Sequence, residues 1–341
     1  MNFGRRQGET GVRTLGIVGG GAWGTALGCV GRRAGCEVVL WAREPEVVEE
    51  INRAHRNSVF LADIPLDPNL EASGDLADLG RCDAILLVAP AQHMRRVTQA
   101  LAVVLERPTP LVICAKGIEA ASGRLMSEVV AETCPGHPLA VLSGPTFASE
   151  VARGLPTAVT LACADGALGE DLVEALGLPE FRPYYSADVT GAQIGGAVKN
   201  VLAIACGLVD GLALGENARA ALMTRGLAEM TRFALARGAR RETLGGLSGL
   251  GDLILTCSSA QSRNFSLGRS IGEGRRASEV LDSRRSVAEG YYTAEVLARL
   301  ARKDAIEMPI TAAVAAILHE AAEVDAVVGA LLGRAFKKEE S

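Results

Sequence analysis

The chain lacks an excess of positive charge: 35 lysines and arginines stand against 40 aspartates and glutamates, a net charge of -5 over 341 residues. Without a basic field there is no global attraction to nucleic acid or to an anionic membrane, so any anion must be held by local groups. It also lacks a C-x-x-C pair. The eight cysteines (29, 36, 82, 114, 134, 163, 206 and 257) sit mostly in apolar runs such as Val112 to Ala115, which marks reduced core thiols of a cytoplasmic protein. The four histidines (55, 93, 137 and 319) share no helix-face spacing such as H-x-x-x-H, so no zinc site and no other metal is expected. In MNFGRRQGETGVR the arginines are followed by no apolar h-region, so residues 1–13 are expected to form a flexible tail and not a signal peptide. No apolar run reaches the uninterrupted length of a membrane span, because Lys199 and Asn200 break the longest candidate. Internal repeats and low-complexity stretches are absent too; Ser283 to Ser286, with two arginines, is expected to be an exposed turn.

What is present is an ordinary globular composition, 48% hydrophobic and 22% charged, in a chain long enough for about two domains. From Thr14 to about Tyr185 short apolar runs alternate with amphipathic segments, the pattern of β-α-β units on a mostly parallel sheet. The expected strands are TLGIV, EVVLW, AILLV, LVICA, LAVLS and AVTLA. Their continuous apolar character suits strands covered on both faces. After Asp188 the chain turns to long segments rich in Ala, Leu, Gly and Glu (192–209, 218–237, 294–303 and 310–333) with no strand pattern. The expected organisation is a sheet domain over 14–190, an all-helical domain over 191–335 that carries substrate and catalysis, and a charged tail over 336–341.

The first unit reads TLGIVGGGAWGTALGCVGRRAGCEVVLWARE, in which Gly19, Gly21 and Gly24 form G-x-G-x-x-G. Glycine is common here, 39 residues, so the motif carries weight only through its context. It follows a strand directly and opens a helix, Gly35 suits the helix end, and a second strand follows at Glu37 to Trp41. Gly19 permits a tight turn, Gly21 lets a pyrophosphate approach the backbone, Gly24 lets the helix pack closely, and the helix N-terminal amides face the anion. This context makes residues 14–190 a dinucleotide-binding domain of Rossmann type. The second strand ends in Trp41-Ala42-Arg43-Glu44. Arg43 favours a 2′-phosphate and hence NADP, whereas Glu44 keeps the ribose 2′-hydroxyl of NAD open.

Between Asp188 and Asp210 the only charged side chain is Lys199, set in GAQIGGAVKNVLAIACGLV. Helix spacing puts Ala192, Gly195, Gly196, Lys199, Ala203 and Cys206 on one face, a strip of small side chains that leaves room beside the ammonium. Apolar surroundings disfavour the charged form and bring a lysine toward acid–base work near neutral pH. The alternative is a stem lying along apolar surface with its head in water.

Three other strings are specialised. Lys116, in CAKGIEAASGRLMSE, ends a buried strand at the sheet edge where open α/β sheets bind ligands. SGPTFASE, Ser143 to Glu150, offers amides and the Thr146 hydroxyl at another strand end, or only a turn and a capped helix. Asp252, a lone acid in GGLSGLGDLILTCSSAQSRNFSLG, is either a helix cap or a carboxylate that orients a neighbour. Capping would explain Ser262 and Asn264 before the next helix, but Arg263 opposes the helix dipole and points to a phosphate. A dinucleotide site, a phosphate site and a lysine of lowered pKa suggest hydride transfer on a phosphorylated alcohol or ketone.

These strings, in this order over roughly 14–335, resemble the bacterial NAD(P)-dependent glycerol-3-phosphate dehydrogenases: GGGAWGTALG, VVLWAREPE, AKGIE, SGPTFASE, GGAVKNVLAIACG, TRGLAEM, GLGDLILTCSSAQSRN, VAEGYYTA and EMPIT. The resemblance implies interconversion of sn-glycerol 3-phosphate and dihydroxyacetone phosphate, feeding glycerophospholipid synthesis. NADP or NAD is the implied cofactor, with NADPH favoured for reduction. Lys199 would exchange the proton of the substrate C2 oxygen, with Asp252 beside it. Lys116, Gly144, Thr146, Lys199, Asp252, Ser262, Arg263 and Asn264 would contact substrate. Gly19, Gly21, Ala22, Trp23, Gly24, Arg43, Lys116, Ala148, Arg263, Val287 and Glu289 would line the cofactor. A small phosphorylated substrate is the implied partner, with no nucleic acid and no membrane insertion; a homodimer stays open.

Two positions depart from the family. Members often carry Ser where this chain has Ala22, which removes a hydroxyl contact to the pyrophosphate, and several have a basic or neutral residue where this chain has Glu44. Two rivals remain at this stage: a Rossmann-type dehydrogenase of a hydroxy acid, which would recognise a carboxylate, and a non-catalytic sensor that binds NAD(P)H.

Overall fold

Alternate residues of the inner strands feed two separate cores. Leu15 and Ile17, Val38 and Leu40, Leu86 and Val112 pack into one cluster; Val18, Val39, Ile85, Leu87 and Ile113 pack into another on the opposite face. That is why the central residues of these strands are apolar in succession. They belong to a computed structural model that describes residues 11–282 and 288–336. The expected turn at Ser283 to Ser286, the cofactor position Val287 and most of both tails lie outside the described residues.

The strands are β1 Thr14–Val18, β2 Glu37–Trp41, β3 Leu70–Ser73, β4 Ala84–Leu87, β5 Leu111–Ile113, β6 Leu139–Ser143, β7 Thr157–Cys163 and β8 Phe181–Ser186. They form one sheet in the order β3-β2-β1-β4-β5-β6-β7-β8, parallel throughout except where β7 runs antiparallel to β6. The six expected strands are the six inner ones, and the two edge strands are additional. β3 alternates buried and exposed residues, and β8 carries Pro183 and the exposed Tyr184 and Tyr185. An edge strand with one wet face has no continuous apolar run to announce it, and proline is tolerated there.

Helices α1 Ala22–Arg33, α2 Pro45–Ala54, α3 Met94–Val104, α4 Met126–Thr133, α5 Ala148–Ala152 and α6 Gly166–Leu176 cover the sheet. Val30, Ile51, Val151 and Leu172 of α1, α2, α5 and α6 enter the first core, and Met94, Leu101, Met126 and Val130 of α3 and α4 enter the second. The direction of sheet growth reverses between β1 and β4. At such a switch the loops leaving the strand C-terminal ends part and open a crevice.

From residue 189 the regular structure among the described residues is helical: α7 Val189–Gly211, α8 Glu216–Ala236, α9 Arg241–Leu244, α10 Asp252–Cys257, α11 Arg263–Gly272, α12 Ala277–Asp282, α13 Glu289–Lys303, α14 Pro309–His319 and α15 Val324–Leu332. A π-helical turn, Leu247–Gly251, leads into α10. The segment 310–333 holds two helices, separated where Ala321 takes a left-handed φ of 53°. α7 is the axis of this half, buried from Gly191 to Val209. In length and hydropathy it is able to cross a membrane despite Lys199 and Asn200, but its whole apolar window is buried inside the chain.

Its small residues serve close packing. A Cβ at Gly207 would collide with the Phe265 carbonyl oxygen, and one at Gly268 with that of Ile204, so α7 and α11 pack backbone to backbone. A Cβ at Gly195 would likewise strike the Ser248 carbonyl. Of the two glycines in the strip expected to leave room for a ligand, Gly195 therefore has its space filled by neighbouring main chain. Only Gly196 faces the strand ends, where a Cβ would lie 2.9 Å from Ser143 Oγ and 3.2 Å from Lys116 Cγ.

Candidate active site

The glycine-rich turn lies at the switch point. Gly19, just past β1, has φ +128°, which an L side chain rarely adopts, and a Cβ there would press on the Val88 carbonyl carbon at 3.2 Å. Gly24 has no room for a side chain against the Gly19 carbonyl, which lets α1 start directly over the strand end. Gly21, the N-cap of α1, meets nothing within 4 Å on its side-chain side. The first-turn amides of α1, from Ala22 on, have no partner inside the helix and carry its positive dipole end. Trp23 packs on the first core while its indole Nε1 is buried without a hydrogen-bond partner. A buried donor with no acceptor is costly. An anion over this turn would meet the unpartnered helix amides.

At the end of β2, Arg43 is 66% exposed and pairs with the less exposed Glu44, Nη2 to Oε1 at 2.7 Å. Glu44 therefore faces Arg43, and both readings of cofactor preference meet in one ion pair. A cavity beside it is lined by Ala42, Arg43, Pro45, Val48, Glu49, Asn52, Arg53 and Gly74. Arg53 is paired one helical turn back with Glu49 at 2.6 Å. Exposed pairs of this kind contribute about 0.2–1 kcal/mol, so a phosphate can displace either carboxylate.

Lys116 and Gly144, just past β5 and β6, meet the helical half at Asp252. The Lys116 Nζ donates to Asp252 Oδ2 at 2.8 Å and to the Gly144 carbonyl at 2.9 Å. Lys199 Nζ donates to Asp252 Oδ1 at 2.5 Å and to Thr256 Oγ1 at 2.8 Å. Asp252 opens α10 but caps nothing; wholly buried, its carboxylate orients two ammonium groups. Lys199 is buried head and stem, so it does not lie along a surface with its head in water. Burial pushes its pKa down to about 8, the Asp252 charge opposing and the Lys116 charge assisting that shift.

The remaining expected residues divide. Thr146 Oγ1 donates within its own loop to the Gly144 carbonyl at 3.3 Å, and Ala148 begins α5 on the first core. Ser262 caps α11, accepting from the Phe265 amide at 3.2 Å. Asn264 is buried and bridges protein groups: it accepts from the Gly290 amide at 3.0 Å and donates to Asn200 Oδ1 at 2.9 Å. Arg263 stands exposed at the start of α11, where Glu289 attracts it. Glu289 begins α13 and accepts from the Ala91 amide at 3.0 Å, while its Oε2 is buried without a partner. Burial pushes the Glu289 carboxyl upward, against the Ala91 hydrogen bond and the Arg263 charge.

Three residues escape a linear search. Thr256 follows Asp252 by one helical turn and presents its hydroxyl to the same lysine. Asn200 Nδ2 donates to the Lys116 carbonyl at 3.0 Å and so ties α7 to the loop after β5. Ser143 Oγ is buried without a partner next to Gly196 and the Lys116 stem. Asn200 had its own signal, a second polar residue inside an apolar run; Ser143 and Thr256 lie within strings already marked as specialised but had none of their own.

A phosphate-ready turn at the switch point of a Rossmann-type sheet, together with a buried lysine of lowered pKa on the helical half that is bridged to a strand end of that sheet, fits the class of nicotinamide-dependent dehydrogenases. Comparison with known proteins narrows the class. Residues 14–168 match the NAD-dependent glycerol-3-phosphate dehydrogenase N-terminus and residues 188–329 the C-terminus of the same family. The chain belongs to the NAD-dependent glycerol-3-phosphate dehydrogenase family. It is 58% identical over 327 residues to glycerol-3-phosphate dehydrogenase [NAD(P)+] of Parvibaculum lavamentivorans, covering 96% of this chain and 98% of that one. The enzyme of the same name from Rhodospirillum rubrum is 59% identical over 326 residues, 95% of this chain and 93% of that one. The crystal structure of glycerol-3-phosphate dehydrogenase from Coxiella burnetii superposes with a TM-score of 0.91 at 42% identity, over 95% of this chain and 99% of that one.

Proposed function

We propose that this chain interconverts sn-glycerol 3-phosphate and dihydroxyacetone phosphate, with Lys199 exchanging the proton on the C2 oxygen. The observation that carries the proposal is the Lys116–Asp252–Lys199 bridge. It orients a lysine whose pKa burial brings down to about 8 and keeps the two ammonium groups one charge ahead of the carboxylate between them.

Two N–H bonds of Lys199 go to Asp252 and Thr256, and the third is left for the substrate oxygen. In reduction Lys199 gives its proton to the C2 oxygen as negative charge develops there; in oxidation the neutral amine takes it back. Lys116 and Arg263 hold the substrate phosphate, and Gly144 and Thr146 shape the loop beside it. Ser262 and Asn264 act by fixing the start of α11, from which Arg263 projects. This deprives the hydroxy-acid rival of its footing, because the site gathers cations suited to a dianion.

The dinucleotide would lie over Gly19, Gly21, Ala22, Trp23 and Gly24, with Arg43 and Arg53 beside its adenosine ribose and Ala148, Lys116, Arg263 and Glu289 toward the nicotinamide. When bound, the nicotinamide supplies or accepts the hydride at C2. Arg43 and Arg53 favour NADPH, and the glutamates paired with them keep NADH usable. We place the reaction in the cytoplasm, with its product entering glycerophospholipid synthesis; eight buried, unbridged thiols are consistent with a reducing compartment.

The test is NADPH oxidation with dihydroxyacetone phosphate against unphosphorylated dihydroxyacetone. The phosphorylated ketone is expected to react at least about 10³-fold better in kcat/KM, since remote binding energy supports the reacting centre. Equal reaction of both would remove the phosphate site.

A further inference from the structure

Asn57 lies in the connection between α2 and β3, far in sequence from the glycine-rich turn, yet it is completely buried against it. Its Nδ2 donates to the Gly20 carbonyl at 2.8 Å and to Thr25 Oγ1 at 2.8 Å, and its Oδ1 accepts from the Phe60 amide at 3.2 Å. Its own carbonyl accepts from the Leu61 amide at 2.8 Å. One side chain thus ties the turn after β1, the first turn of α1 and the 57–61 loop together. Gly20 is buried, and a Cβ there would lie 2.6 Å from that of Ala42, so this peptide has little freedom to move toward β2.

The consequence follows from peptide geometry. The Gly20–Gly21 bond is trans, as are all others among the described residues, so the Gly20 C=O and the Gly21 N–H of one peptide unit point in opposite directions. Pinning the carbonyl inward on Asn57 aims the Gly21 N–H outward, at the head of α1, on the open side of the turn. Without that donor only the longer hydrogen bond from Thr25 Oγ1, at 3.4 Å, holds the carbonyl, and the amide is less firmly kept where the helix dipole adds to it.

We propose that Asn57 is a positioning residue for cofactor binding: by holding the Gly20 carbonyl it presents the Gly21 amide to the pyrophosphate of the dinucleotide. This rests on the dinucleotide site assigned under Proposed function. Because the pyrophosphate is common to NADH and NADPH, Asn57 acts equally on both, unlike Arg43 and Arg53 at the ribose.

The experiment compares the wild type with Asn57→Asp and Asn57→Ala, using fluorescence titration of NADPH and NADH and steady-state turnover of dihydroxyacetone phosphate. Asn57→Asp keeps the shape and the acceptor for Phe60 but, ionised, has no donor. Both variants are expected to weaken NADPH and NADH by the same factor, about 10- to 100-fold, which corresponds to one lost hydrogen bond to a charged group. The kcat at saturating cofactor is expected to stay within about threefold, since the interaction is uniform binding rather than transition-state binding. Acidification is expected to restore affinity in Asn57→Asp alone, because the protonated carboxyl regains a donor; should the Ala variant not fold, this series decides. Wild-type affinity in Asn57→Ala, weakening confined to the charged Asp variant without recovery in acid, or loss of NADPH binding alone would each overturn the proposal. A wild type that binds neither dinucleotide but folds would overturn the dinucleotide site itself, which is a separate failure.

Discussion

The two oxygens of the Asp252 carboxylate are divided between two lysines, Oδ1 at 2.5 Å from Lys199 Nζ and Oδ2 at 2.8 Å from Lys116 Nζ. One lysine comes from the end of a sheet strand and the other from the middle of the buried helix α7. The acid therefore joins the sheet half of the molecule to the helical half and accepts from both ammonium groups.

Replacing Asp252 with Asn tests that role. An amide oxygen accepts from one lysine only, and its NH2 then opposes the other ammonium. Turnover is expected to fall on the order of 10²–10³-fold, the usual scale for disabling acid–base catalysis, with NADPH affinity little changed. Because the Asp252 charge raises the Lys199 pKa, its removal is also expected to move the titration of activity to lower pH.

The pH dependence has opposite signs in the two directions. Reduction needs protonated Lys199, so kcat/KM for dihydroxyacetone phosphate is expected to fall as pH rises through about 8. Oxidation of glycerol 3-phosphate needs the neutral amine and is expected to rise through the same pH. Profiles in both directions from about pH 7 upward, above the second phosphate ionisation near 6, check this. Limbs that do not cross would separate Lys199 from the proton transfer.

Cofactor preference is expected to respond to the β2 end. Arg43→Ala, and to a smaller degree Arg53→Ala, should raise KM for NADPH about 10-fold or more while KM for NADH stays within about twofold, as expected for loss of a charge-assisted contact to the 2′-phosphate. Glu44→Gln frees Arg43 from its partner and should shift the ratio of kcat/KM values toward NADPH. Parallel assays with the two cofactors read both effects.

The packing of α7 on α11 gives a stability prediction. In Gly207→Ala the new methyl meets the Phe265 carbonyl, so α11 must shift. Overpacking of this kind costs about 1–3 kcal/mol, measurable as a lower urea midpoint. Since Arg263 begins α11, KM for dihydroxyacetone phosphate should rise in the same variant.

How much of this was legible in the sequence depends on whether the cause is local. The six inner strands announced themselves because both faces feed a core; β3 and β8, with a wet face or a proline, did not. Lys199 stood out because a solitary charge in an apolar helix is rare, and its burial explains that solitude. The glycines beside it were visible, but the purpose of each was not: the Ser248 turn fills the space at Gly195, while Gly196 faces Ser143 and the Lys116 stem. Asp252 allowed two roles until the lysines across the fold were seen to share it. Thr256 and Ser143 lie in marked strings and Asn57 does not, but the partner that gives each its role, Lys199, Gly196 or Gly20, is brought to it by tertiary structure.

The central claim is that Lys199 moves the proton on the C2 oxygen, and Lys199→Ala tests it most directly. Single-turnover oxidation of NADPH by dihydroxyacetone phosphate should slow by at least about 10³-fold, while NADPH titrates with wild-type affinity and the protein unfolds cooperatively. A variant that turns over at the wild-type rate would make Lys199 a structural residue and contradict the account.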